Sequence, residues 1–82
     1  MIHELKIWPE YFQRVAEGIK TFEIRKNDRN FKVGDILLLK EYKPTEETYT
    51  GREFTVEITY VLDYFNNGYV VMSIKPWRIK PC

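Results

Sequence analysis

The hydrophobic and polar positions of this 82-residue chain change period several times, and each change marks an element. In residues 3–7, Leu5 and Ile7 share one face while Glu4 and Lys6 share the other, which predicts a short strand. Pro9 suits the first turn of a helix, where its missing N–H would be unpaired anyway, and Glu10 suits that positive end. Tyr11, Phe12, Val15 and Ala16 form an apolar stripe at helical spacing, and Gly18 can end the helix in a left-handed conformation.

From residue 21 the period becomes two. Phe22 and Ile24 take one face of residues 21–26, and Thr21, Glu23 and Arg25 take the other. Asn27-Asp28-Arg29-Asn30 is a polar turn, and Val33-Gly34-Asp35 turns into the apolar run 36–39, a strand expected to be buried on both faces. Residues 44–51 read as a polar loop. Residues 53–62 alternate again, with Phe54, Val56, Ile58 and Tyr60 on one face. Asn66-Asn67-Gly68 supplies a turn before a strand over 69–75, and residues 77–82 form a tail or a last strand. The expected class is mixed α/β, mainly β: about five strands and one early helix in one domain over residues 1–82. A sheet this small cannot bury its apolar face while flat, so it should curl into a β-barrel closed or plugged by the helix.

Composition narrows the function. With 44% hydrophobic and 16% aromatic residues the chain can fill a core, and 13 basic against 12 acidic side chains argue against indiscriminate coating of nucleic acid. The charge is mildly uneven: nine basic and seven acidic residues lie in 1–43, four and five in 44–82. Cys82 is alone, which excludes an internal disulfide and suits a reducing, cytoplasmic setting. His3 and Cys82 cannot make a zinc site, so no metal and no cofactor is expected. No apolar run nears the roughly 20 residues of a membrane span, and the N-terminus lacks a signal-peptide pattern, so no membrane association is expected.

The chemistry concentrates in Gly18-Ile19-Lys20-Thr21-Phe22-Glu23-Ile24-Arg25. A cation, a hydroxyl, a carboxylate and a guanidinium converge there beside the helix. Lys20 and Arg25 can hold a phosphate or a carbonyl oxygen, and Glu23 can accept a proton or a base-edge N–H. Lys26 and Arg29 extend the basic cluster and complete the candidate ligand-binding set Lys20, Thr21, Glu23, Arg25, Lys26 and Arg29. The same pattern also reads as an ion pair between Glu23 and Arg25 on a solvated strand. Trp8 and Tyr64, at element boundaries, are the aromatics expected to be exposed for stacking on bases. His3 reads as structural.

These residues resemble a family. The run from His3-Glu4-Leu5-Lys6 through Gly18–Arg25, then Lys26-Asn27-Asp28-Arg29 and Phe31-Lys32-Val33-Gly34-Asp35, is similar to short bacterial and phage ASCH-like domains of unknown function in the PUA-like superfamily. Tyr49-Thr50-Gly51-Arg52-Glu53 and Gly68–Met72 continue the likeness. The resemblance implies a PUA-like barrel with a cleft beside the first helix, and RNA, a nucleotide or a nucleoside as the ligand. Some ASCH proteins deacetylate N4-acetylcytidine with a lysine, a threonine nucleophile and a glutamate. On that pattern Lys20 and Arg25 match the lysine and arginine, Thr21 matches the other threonine, Glu57 is the candidate for the later acid, and the nucleophile position holds Glu23. A carboxylate does not replace a hydroxyl nucleophile, so the resemblance leans towards binding. The alternatives are a hydrolase of a modified nucleoside, with Lys20 and Glu23 as its catalytic candidates, and a protein-interaction factor of a mobile element.

Overall fold

In the computed structural model, residues 1–63 and 67–77 are described. The chain forms β1 (Ile2–Ile7), α1 (Pro9–Ala16), β2 (Phe22–Lys26), β3 (Ile36–Lys43), β4 (Thr48–Leu62) and β5 (Tyr69–Pro76). They make one five-stranded sheet in the order β1-β3-β4-β5-β2, curled into a half-barrel. β1 runs parallel to β3, and every other neighbouring pair is antiparallel. Among the described residues the mainly β architecture, five strands and single short helix follow the expectation from periodicity.

The core lines the inner face. Leu37 and Leu39 of β3, Val56 and Ile58 of β4, and Val70 and Met72 of β5 are essentially inaccessible to solvent. Phe12 and Val15 from α1, with Phe31 from the β2–β3 connection, cover this layer. Pro9 opens the helix, and Gly18 follows it at a φ of 78°, the left-handed position its sequence anticipates.

Three local expectations are corrected. Ile36 and Leu38 are only half-buried, because among the described residues no second layer covers the outer face of β3. The polar loop is shorter than 44–51, since β4 already begins at Thr48. There β4 carries extra residues against β3 between Tyr49 and Glu53, with Gly51 at a φ of 91°. Tyr60 does not join Val56 and Ile58: the register against β5 shifts between Ile58 and Tyr60, so the inward position passes to Val61 and Tyr60 stays exposed. Tyr64 and most of residues 77–82 lie outside the described residues.

His3 shares the inward face of β1 with Leu5 and Ile7 and is buried. Its Nε2–H donates to Asp35 Oδ2 at 2.9 Å, and its ring meets Phe31 edge-on at 4.8 Å, a structural role that ties β1 to the start of β3. Burial would raise the Asp35 carboxyl, but hydrogen bonds from His3 and the Lys32 N–H, together with the Met1 ammonium at 3.3 Å, outweigh it and hold the carboxyl below its ordinary value. No helix among the described residues is long and apolar enough to cross a membrane.

Candidate functional site

β1 and β2 are the two edges of the sheet, and the curl brings them face to face across an open seam. Among the described residues no strand pairs them. Instead, Arg25 Nη2 donates to the Lys6 carbonyl at 2.7 Å and Arg29 Nη1 donates to the Glu4 carbonyl at 2.8 Å. Two arginines thus occupy backbone acceptors that an edge strand would otherwise leave open.

Strand β2 is inverted relative to the rest of the sheet. Its polar residue Glu23 points inward and is buried, with 3% of its surface exposed, whereas Phe22 and Ile24 stand outward at 42% and 55%. The alternation is as the sequence predicts, but the solvated ion-pair reading is not, because Glu23 lies opposite the fully buried Met72 of β5. A buried carboxylate needs compensation. Lys20 Nζ donates to Glu23 Oε1 at 2.5 Å, and Arg25 Nε donates to Oε2 at 2.9 Å. Lys20 also donates to the Phe22 carbonyl at 2.7 Å, which fixes its ammonium over the start of the strand.

A cleft of about 600 Å³ opens above this cluster. Its walls are aromatic: Trp8 and Tyr11 stack at 6.3 Å with 20° between their planes, and Phe22 faces the Lys20 ammonium at 4.8 Å. Tyr11 and Phe22 therefore flank a cation whose counter-charge lies beneath it. A second cleft of about 390 Å³ adjoins the first, sharing Lys6 and Arg25, and adds Arg29, Lys40 and Tyr49. Both volumes are in the range of small-molecule sites.

The structure brings Lys20, Glu23, Arg25 and Arg29 to the seam but distributes the other candidates differently. Thr21 lines only a narrow crevice of about 20 Å³ on the far side of Lys20, where its carbonyl accepts the Ile74 N–H. Lys26 lines neither large cleft. Glu57 sits opposite Ile36, 4.0 Å from Lys75, outside both clefts. Trp8 is exposed on the cleft wall as expected. Sequence reasoning missed Lys6, Lys40 and Tyr49 at the site. Lys6 carried a signal, the outward alternation of β1, but Lys40 joins it only through the parallel register that sets Lys6 opposite Lys40. Among the described residues, no group of three or more His, Cys, Asp or Glu is arranged to hold a metal ion.

Residues 2–74 match the model of a protein family described as a domain of unknown function, DUF3850. The chain belongs to that family. The DUF3850 match runs from β1 into β5 and includes every residue named in both clefts. An uncharacterized 12.9 kDa protein in the GpA 3′ region of Escherichia phage P2 is 45% identical over 62 residues. That alignment covers 76% of this chain and 55% of the phage protein, so the chain spans little more than half of its relative's length.

Proposed function

We propose that this chain is a binding module whose seam cleft takes a nucleobase, as part of RNA, a nucleotide or a nucleoside. The observation that carries this reading is the aromatic cleft built over a buried carboxylate clamped by two cations. Trp8, Tyr11 and Phe22 offer faces for stacking, which contributes about 1–3 kcal/mol per base. Lys20 and the free side of the Arg25 guanidinium donate to exocyclic oxygens. Glu23 keeps unused lone pairs for an N–H on a base edge, but its main work is to hold both cations in place. The resemblance of Gly18–Arg25 to ASCH-like domains supports the same ligand class. Binding is favoured over hydrolysis because each oxygen of Glu23 is already engaged by a cation, which leaves no carboxylate oxygen free of a cation to activate a water.

The test is to titrate the chain with ribonucleosides, ribonucleotides and short single-stranded RNAs, following tryptophan fluorescence and calorimetric heats. At least one class should bind, and the Lys20→Ala/Arg25→Ala variant should lose affinity tenfold or more. No binding by any class, or unchanged binding by a double variant shown to be folded by circular dichroism, overturns the reading.

A further inference from the structure

The second cleft differs in kind from the first. It is lined by four cations, Lys6, Arg25, Arg29 and Lys40, against one carboxylate, Glu4. What holds these cations matters more than their number. Arg29 is anchored through a backbone carbonyl, a neutral acceptor, and no carboxylate among the described residues pairs with it. Arg25 shares Glu23 with Lys20 through its Nε and spends its Nη2 on another carbonyl. Lys6 lies over the Tyr42 ring at 4.4 Å, and Lys40 over the Tyr49 ring at 5.0 Å. Rings and carbonyls orient cations without cancelling their full charge. The nearest carboxylate oxygens to Lys40, from Glu4 and Glu53, are 3.5 and 4.0 Å away, too long for tight pairing. The result is a set of oriented donors, of which Arg29, Lys6 and Lys40 are under-neutralised, on a concave surface that continues into the aromatic cleft.

We propose that this second cleft is a phosphate site. The ligand of the seam is then a base joined to a phosphate monoester or diester, with the base between Trp8 and Phe22 and the phosphate among Arg29, Lys40 and Lys6. The inference rests on the nucleobase reading of the first cleft and adds to it a ligand polarity: the base lies towards the helix and the phosphate towards the turn after β2. Arg25, shared by both clefts, spans the junction. Arginine suits this place because its fork can bind two phosphate oxygens while its remaining N–H groups keep Glu23 and the Lys6 carbonyl.

Matched pairs of ligands test it. A nucleoside is compared with its monophosphate, and a single-stranded hexanucleotide with its uncharged-backbone analogue, for the parent chain, Arg29→Gln and Lys40→Gln. Arg29→Gln is too short to keep the Glu4 carbonyl contact, whereas Lys40→Gln leaves that contact untouched, so at least one variant keeps the seam intact. In whichever pair binds, the charged member should bind at least tenfold tighter to the parent, and each variant should lose most of that advantage while binding the uncharged member as before. The pair that shows the effect separates a monoester from a diester. Equal binding of charged and uncharged members overturns the phosphate site and leaves the base reading standing. A charged-member advantage that survives in both folded variants also overturns it, by placing the phosphate elsewhere. Binding by no member of either pair overturns both proposals together.

Discussion

The centre of the sheet and its β2 edge use the same alternation to opposite ends. In the middle of β3, β4 and β5 the inward positions are large apolar side chains, and Leu37, Leu39, Val56, Ile58, Val70 and Met72 are almost completely shielded from solvent, although β3 ends its inward row on the buried carboxylate Glu41, which accepts from the Thr50 hydroxyl at 2.6 Å. In β2 the inward position goes to Glu23, while Phe22 and Ile24 face outward. The centre gains stability from apolar burial. The edge carries the desolvation cost of a carboxylate and two cations, an arrangement that seldom adds net stability.

The largest expected effect tests the centre. Leu39→Ala should destabilise the chain by about 2–5 kcal/mol, read from urea denaturation, because Leu39 is fully enclosed and its removal leaves a cavity. At the edge, Glu23→Ala strands two cations, but Lys20 and Arg25 retain access to water, with side chains 18% and 27% exposed. Its cost should therefore be smaller, about 1–3 kcal/mol. Glu23→Leu sharpens the contrast. It strands the same two cations but fills the inward position with an apolar side chain, so it should cost less than Glu23→Ala, yet lose ligand binding, since nothing then holds Lys20 and Arg25 over the cleft. A Glu23→Leu variant as destabilised as Leu39→Ala would show that β2 is an ordinary part of the core.

A second buried polar contact, His3 with Asp35, lies away from the clefts and serves the fold. Its carboxyl titrates below the ordinary value in the folded chain. The stabilisation it supplies is therefore complete above the unfolded value of about 3.9 and fades as pH falls through the lower folded value. Asp35→Asn removes that dependence. Urea midpoints between pH 2 and 7 should fall less steeply on the acid side for the variant than for the parent, with ligand binding at neutral pH unchanged. If binding fell with Asp35→Asn, the separation between a fold-serving and a site-serving carboxylate would fail.

Strand positions, the helix with its proline start and glycine end, and the convergence of Lys20, Glu23 and Arg25 were all legible from period and spacing. Depth was not. Alternation tells which residues share a face, but whether a face points in or out depends on the sheet partners, and Glu23 is buried because β2 pairs with β5 opposite Met72. The bulge that turns Tyr60 outward has no marker residue such as glycine at the shift. The second cleft is a product of topology: only a parallel β1–β3 pair sets Lys6 beside Lys40, and only the curl lays Arg25 and Arg29 against β1.

The smallest effect is the most exacting for the comparison. Ile24 is a β-branched apolar residue in a strand, and at an inward position its replacement by threonine would cost heavily through an unpaired hydroxyl and lost contacts. At its actual outward position, more than half exposed on the cleft wall, Ile24→Thr should change stability by no more than about 0.5 kcal/mol. It should still lower ligand affinity a few-fold, because the side chain that leaves is part of the apolar wall. Equilibrium denaturation and a binding titration on the same sample read both quantities. A loss of stability beyond about 1 kcal/mol exceeds what an exposed position sustains and would mean that the outer face of β2 is covered in solution. An unchanged affinity with unchanged stability would mean instead that the ligand does not reach this side of the strand, and would confine the base to the space between Trp8, Tyr11 and Phe22.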